Sequence, residues 1–477
     1  MLVPLVVAGR SVSFLVPVLI AHLFGATNLT DAFFYALTIP YVLLVLVGNG
    51  ISLVAVPEMA RLTRAHPDRL PDFVGGAALL SMGMAVALAL ALWLALPALL
   101  PVFTAFDAPT QELASTFLFE LTAYLGLAGA VLIFRTACEV QGRFAASALG
   151  PPLRGGVTLT MLWLFHDTLG PHVLPAALAM GSLAEVTLDM GILASTGVIP
   201  RPSLRLDPAL STAAIAALPV MFGEGLVAIN LLADKAFAGL LETGSVSVLE
   251  YADRARLIPT TLVESTLLTV AFATCAHLLA AGDRARYAAT LDQSFRWLGA
   301  LLAPPLAGLF IGRHALIALL YGRGAIDEAQ VELAARVLGF YVPGLWTMML
   351  GMLAVRAHIV EGKLRPVIVL GGVSAGLNLV LNAAFIGPFG LEGLAAASLV
   401  VWITVPALWM WSLRDTLRLG ASARGWLQVG AVAAASAALA AIVELSVGAP
   451  ESVADPVLWA AAVPALVLLG LAIWVTS

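Results

Sequence analysis

The sequence predicts an all-α membrane protein of about fourteen transmembrane helices, arranged as two parallel-repeat six-helix bundles around a central cavity plus a C-terminal helix pair. Three observations lead there. Of 477 residues, 61% are hydrophobic and only 11% charged, where an ordinary soluble domain carries about 25% charge. The apolar residues gather into fourteen runs near the length of about 20 residues that a helix needs to cross the hydrocarbon core. Marks in the first half also recur in the second at a nearly constant offset.

The charge deficit excludes a soluble multidomain chain, because 24 Lys plus Arg and 29 Asp plus Glu cannot cover several polar surfaces. A net charge of −5 without a basic run leaves no footprint for nucleic acid. Cys138 and Cys275 are far apart in apolar segments and read as buried small hydrophobes rather than a disulfide framework. The N-terminus has no charged region followed by a small-residue cleavage site, so it reads as the first span.

The runs fall near 2–24, 32–57, 73–103, 113–136, 144–166, 172–197, 209–233, 246–280, 288–319, 328–354, 364–386, 391–413, 424–446 and 455–475. None shows the alternating ten-residue pattern of a membrane barrel. Lys and Arg mark cytoplasmic loops. Arg61, Arg64, Arg69, Arg135, Arg143, Arg154, Arg201, Arg205, Arg284, Arg286, Arg356, Lys363, Arg365, Arg414, Arg418 and Arg424 follow even-numbered spans, whereas Lys235, Arg313 and Arg323 follow odd ones. Both termini are therefore expected in the cytoplasm, as an even span count requires.

DAFFYALTIP at 31–40 and EYADRARLIP at 250–259 each open an even-numbered span and close on Ile-Pro, at an offset of 219. Gly170-Pro171 recurs as Gly387-Pro388, and Arg135 as Arg356. Six spans separate equivalent helices, so both copies run the same way through the bilayer, as in transporters with a site between parallel halves. The expected domains are 1–205 and 206–418, the two bundles, and 419–477, an added hairpin.

Ionisable groups inside a membrane are costly and functional by default. Arg10 lies midway along span 1, Asp31 opens span 2, and Glu120 lies in span 4. Glu185 and Asp189 share a face of span 6, and Glu224 is in span 7. Span 8 opens with Glu250, Asp253, Arg254 and Arg256, with Glu264 deeper. Arginine forks clamp phosphate and keep their charge. Arg10, Asp31, Glu224, Arg254 and Arg256 are accordingly the candidate substrate-binding set. The same groups also suit plain pairing, Arg10 with Asp31 and Arg254 with Asp253 or Glu250. Glu120, Glu224 and Glu264 are candidates for proton coupling. The Glu185/Asp189 pair would repel if both ionised.

Asn378 and Asn382 share one face of span 11, Asp234 closes span 7 and Ser398 lies in span 12. One carboxylate with neutral oxygens suits a hard monovalent cation; interhelical hydrogen bonding is the alternative use of the asparagines. No Walker loop or HExxH occurs. The one GxSxG string, Gly372–Gly376, lies inside span 11 rather than at a strand-to-helix turn.

FGATNLTDAFFYALTIPYVL (24–43), VPEMARL (56–62), NLLADKAFAGLLETGSVSVLEYADRARLIP (230–259) and NLVLNAAFIGPFGLEGLAAAS (378–398) resemble the MurJ/MviN lipid II flippases of the multidrug/oligosaccharidyl-lipid/polysaccharide exporter superfamily. The resemblance runs over nearly the whole chain. It implies a flippase, not an enzyme, that moves an undecaprenyl-pyrophosphate-linked peptidoglycan precursor across the bacterial cytoplasmic (inner) membrane by alternating access, as a monomer. It also implies that Arg10, Asp31 and Arg254 are functional charges. Asp234, Asn378, Asn382, Ser398 and the Leu394 backbone carbonyl would bind a sodium ion, with no other cofactor required. Val16, Leu44 and Asn49 stand where that family usually has two arginines and an acid. That leaves two alternatives, a flippase for another lipid-linked oligosaccharide and a non-transporting scaffold.

Overall fold

The computed structural model describes residues 2–202, 230–263, 268–417, 427, 429–436 and 438. The chain divides into two compact units, Met1–Ser247 and Val248–Ser477. The expected boundary at 205/206, and nearly all of the expected hairpin at 419–477, lie outside the described residues.

The first unit opens with α1 (Leu2–Phe24) and α2 (Asn28–Leu43). A π-helical stretch, Leu44–Asn49, joins α2 to α3 (Gly50–Ala65). The second expected span is therefore one long helix with a widened turn in its middle, a local form that occurs often at functional sites. Then come α4 (Leu70–Phe103), α5 (Ala108–Val140), α6 (Ala145–Leu169), α7 (Val173–Ser195) and α8, described over 230–238. At 1.5 Å per residue, α4 is about 50 Å long, more than the roughly 30 Å hydrocarbon core requires. Helix α5 is the packing centre, in contact with α2, α4 and α7. Its buried Phe117 meets Phe33 of α2 edge-on, ring centroids 5.6 Å apart.

Helix α9 (Ser245–Val263) runs from the end of the first unit into the second. The second unit continues with α10 (Thr269–Ala280), α11 (Arg284–Ile311), α12 (Arg313–Tyr321), α13 (Glu328–Val360), α14 (Leu364–Ser412) and α15 (Arg414–Leu417). Helix α13 is the centre here and packs on α10, α11, α12 and α14. Seven helical stretches among the described residues are long and apolar enough to cross a membrane. Two of them, Ala145–Ser195 and Leu364–Ser412, each hold two of the expected spans.

The backbone carries the duplication more plainly than the side chains do. Asp107 caps α5 by accepting from the Thr110 N–H at 3.1 Å, and Asp327 caps α13 by accepting from the Gln330 N–H at 2.7 Å. Both helices are 33 residues long. Each ends on a left-handed glycine, Gly142 (φ 73°) and Gly362 (φ 71°). The Arg143 N–H reaches back to the Cys138 carbonyl, and the Lys363 N–H reaches back to the His358 carbonyl in the same way. Gly170 (φ 55°, ψ −135°) and Gly390 (φ 55°, ψ −134°) then make the same turn at the next hairpin. The register corrects one sequence match: the counterpart of Gly170 is Gly390 and not Gly387, because the left-handed turn must be made by the glycine itself. It also sets Arg135 opposite Val355, one residue before Arg356.

A polar tie fastens one end of the second unit. Glu361 accepts hydrogen bonds from Tyr287 of α11 and Thr416 of α15, both at 3.0 Å, and pairs with Lys363 at 2.6 Å. Burial works to raise the Glu361 pKa, but the Lys363, Tyr287 and Thr416 contacts outweigh it and hold the carboxyl below its ordinary value of 4.5. A carboxylate with a depressed folded-state pKa stabilises the fold above the unfolded-state value and loses that contribution as pH falls through the folded one. The thermal midpoint is therefore expected to drop on the acid side, below about pH 4.5. Glu361→Gln should flatten that part of the profile, read by thermal unfolding of the purified protein across pH.

Candidate functional site

The N-terminal turn of α2 and the start of α9 build one buried polar site in the first unit. Asp31 is 1% exposed. Its carboxylate accepts from the Gly244 N–H at 2.6 Å, the Ser247 N–H at 2.8 Å and the Ser247 hydroxyl at 2.6 Å. Two of these donors are backbone groups at a helix N-terminus, where unpaired N–H groups and the helix dipole favour an anion. Gly244 has φ 92°, a conformation that favours glycine, and its bare backbone meets the carboxylate there. Thr30 touches the Ser247 hydroxyl at 2.9 Å, and Thr243 donates to Asn28 at 2.8 Å. Lys235 of α8 is buried beside this site, and its ammonium points to the Val246 carbonyl at 3.4 Å. Asp31 is thus held by the GSVS word at 244–247.

Further along α9, in the second unit, Arg254 donates through Nε to Glu250 one turn earlier at 2.6 Å. Arg256 donates through Nε to Asp253 at 2.6 Å. Its guanidinium carbon lies 4.9 Å from the Trp402 ring centre and 5.7 Å from that of Tyr341. Tyr251 stacks on Tyr321 at 4.8 Å, which fixes the helix's rotation about its axis. The charged turn of α9 is therefore anchored: each arginine has one edge held by an acid of its own helix. Its side chain remains 24% exposed for Arg254 and 16% for Arg256.

The oxygen-donor candidates divide by unit. Asn378, Asn382, Leu394 and Ser398 all lie buried on α14, either side of its break at Gly390. The Asn382 amide donates to the Asn378 carbonyl oxygen at 3.1 Å. Asp234 is half-buried on α8 of the first unit. Arg10 sits on α1, but its side chain lies outside the described ones, as do Glu224 and Glu264. Glu120 pairs with His172 at 2.7 Å.

Three cations read from sequence as loop residues are placed differently. Lys235 is helical and buried. Arg135 of α5 and Arg154 of α6 turn inward on opposite oxygens of Glu185 of α7, Arg154 at 3.2 Å. Glu185 therefore meets two cations from other helices as well as the neighbouring acid Asp189. The only local sign was helical register, since Arg135 lies within an otherwise apolar run rather than after it.

With this geometry in hand, comparison with known proteins decides the family. Residues 20–454 match the family described as Lipid II flippase MurJ. The chain belongs to the MurJ family. A probable lipid II flippase MurJ of Vibrio cholerae serotype O1 is 28% identical over 407 residues, covering 80% of this chain and 75% of that one. Lipid II flippase MurJ of Burkholderia cenocepacia is 26% identical over 345 residues, 69% of this chain and 66% of that one. A solved lipid II flippase MurJ in an inward closed conformation superposes with a TM-score of 0.81 at 16% identity, covering 99% of this chain and 97% of the other. An inward-facing multidrug resistance MATE family transporter of the MOP superfamily follows the same fold, with a TM-score of 0.66 at 13% identity over 87% of this chain and 99% of that one. This MurJ family member is thus a multi-pass helical membrane protein of a flippase family, with a fold that the MATE transporter also has.

Proposed function

We propose that the protein moves lipid II, a polyprenyl-pyrophosphate-linked glycan, between the leaflets of the bacterial inner membrane by alternating access. The single observation that carries this reading beyond the family match is the anchored guanidinium of Arg254. It stands on α9, held at Nε by Glu250 and still partly exposed. An arginine so held keeps its charge and its planar fork, the chemistry that recognises a pyrophosphate. Arg256 is pinned against two aromatic rings and serves mainly to orient the same turn. Transport is secondary, driven by an ion gradient or by the membrane potential, which is worth about 2.3 kcal/mol per charge per 100 mV. The chain works as a monomer with both termini in the cytoplasm.

The direct test is rescue of a bacterial strain depleted of its lipid II flippase by the wild-type chain, scored by growth with membrane levels matched. Failure to rescue, with the protein correctly inserted, points to another lipid-linked oligosaccharide or to a non-transporting scaffold. Val16, Leu44 and Asn49, which stand where the family resemblance leads one to expect charge, favour the first of these.

We propose that Asn378, Asn382, Ser398 and the Leu394 carbonyl, all on α14, hold a sodium ion within the second unit. Neutral amide, hydroxyl and carbonyl oxygens fit a monovalent hard cation better than a divalent one. Sodium is expected to raise the thermal midpoint of the wild-type protein relative to choline at equal ionic strength, and Asn382→Ala to remove that increment. No sodium effect on the wild type would dismiss the site.

A further inference from the structure

At the end of the first unit where α5 runs into α6, three helices bring four ionisable groups together. Arg135 of α5 and Arg154 of α6 both engage Glu185, and Asp189 lies one turn further along α7. Asp189 is 0% exposed, and neither of its carboxyl oxygens has a hydrogen-bond partner among the described residues. The Nε of Arg135 is likewise buried without an acceptor, since this guanidinium is turned toward Glu185 through Nη2.

A bare carboxylate sealed from water with no donor is among the costliest arrangements a protein can hold. A protonated carboxyl in the same place carries no charge to solvate. The charges that bear on Asp189 are Arg135 and Glu139 from α5 and Glu185 on its own helix, while α6 contributes Arg154 through Glu185. Those two arginines and two glutamates cancel when Asp189 is neutral. An ionised Asp189 would leave the cluster one negative charge in excess, next to an Arg135 Nε that has no acceptor.

The duplication supplies an internal control. In the register set by Gly142/Gly362 and Gly170/Gly390, the positions of Arg135, Arg154, Glu185 and Asp189 are filled in the second unit by Val355, Ser374, Val405 and Trp409. The same bundle therefore packs without any of these charges. The cluster is not a requirement of the fold. Small residues make room for it: a Cβ on Gly150 would lie 2.5 Å from a Glu185 oxygen, and one on Gly181 would lie 2.7 Å from the Arg154 carbonyl.

We propose that Asp189 is a proton-binding site: it carries its proton in the arrangement seen here, and on losing it draws Arg135 away from Glu185, shifting the end of α5 against α7. The ligand is a single proton, taken up or released by one carboxyl, and Arg135 is the responding group. This inference concerns the first unit alone and does not depend on the identity of the transported lipid.

Cys138 reports on the site, because its thiol donates to the Asp189 backbone carbonyl at 3.6 Å. The chain's other cysteine, Cys275, is told apart by mass after digestion. Full-length wild type and Asp189→Asn, each in lipid nanodiscs, are pulse-labelled with N-ethylmaleimide from about pH 5.5 to about pH 8.5. Dividing the wild-type Cys138 rate by the variant rate at each pH removes the shared part of the thiol's ionisation; the part that remains works against a rise, because an ionised Asp189 beside the thiol disfavours the thiolate. The ratio is expected to lie near one at the acid end and to rise several-fold toward the alkaline end, as the neutral-to-ionised ratio of Asp189 falls about tenfold per pH unit. A flat ratio overturns the proposal. So does an Asp189→Asn chain that fails to fold, because the neutral amide is the nearest stable mimic of the protonated acid.

Discussion

Replacing Arg254 by Ala is expected to abolish rescue of a strain depleted of its lipid II flippase, while the amount of protein in the membrane stays at the wild-type level. Two effects separate here. Structurally, the change removes one end of a pair formed within a single helix turn, and Glu250 keeps its place on α9. An exposed pair at this spacing adds only about 0.3–0.5 kcal/mol; Glu250 is buried, so the change also strands its carboxylate, and matched membrane levels are the control for folding. Functionally, the change removes a permanent cation, and the neighbouring fork of Arg256 is engaged by Asp253 and by the Trp402 and Tyr341 rings. Arg254→Lys should recover little, because a point charge cannot make the paired hydrogen bonds to a pyrophosphate. The double variant Glu250→Gln with Arg254→Ala discriminates further. If Arg254 served only to neutralise Glu250, removing both charges would restore rescue. Continued failure of the double variant assigns the loss to substrate.

Asp31→Ala is expected to destabilise the protein by at least about 3 kcal/mol, measured by thermal unfolding in a lipid environment. The carboxylate receives three donors, and each buried donor left without an acceptor costs about 1–3 kcal/mol. Loss of the acid also removes the anion from the N-terminus of α9, worth about 0.3–1 kcal/mol. Asp31→Asn keeps one acceptor oxygen and should fall between wild type and Ala. Ser247→Ala removes one donor together with its need for an acceptor, and should cost about 1 kcal/mol. The order Ala, then Asn, then Ser247→Ala, from most to least damaging, is the signature of a helix-capping carboxylate. Equal effects of Asp31→Ala and Asp31→Asn would instead mean that only the charge matters.

Some of this site could be read along the chain. Arg254 and Glu250 are four residues apart on one helix, so their pairing follows from helical period alone. Arg256 and Asp253 follow from the same rule at three residues. Asp31 opens its span in the sequence, where pairing with Arg10 is the alternative to a substrate role. Its donors Gly244 and Ser247 lie more than two hundred residues away, a distance at which periodicity says nothing. The Glu185/Asp189 pair looked like two acids in mutual repulsion. Arg135 and Arg154 resolve that for Glu185 only because α5, α6 and α7 turn particular faces toward one another.

The sequence by itself determined that the chain is helical and membrane-embedded, since too few charges exist to coat a soluble surface, and that its halves are duplicated. It also determined which residues share a helix face, because a helix fixes the angle between successive side chains. What only the tertiary structure decided is which faces meet: Asp31 at the cap of α9, Lys235 buried beside it, and Glu185 between two arginines. A rotation of one helix by a single residue swings every side chain by roughly 100°. The pairing of distant charges therefore rests on packed surfaces that no local pattern encodes.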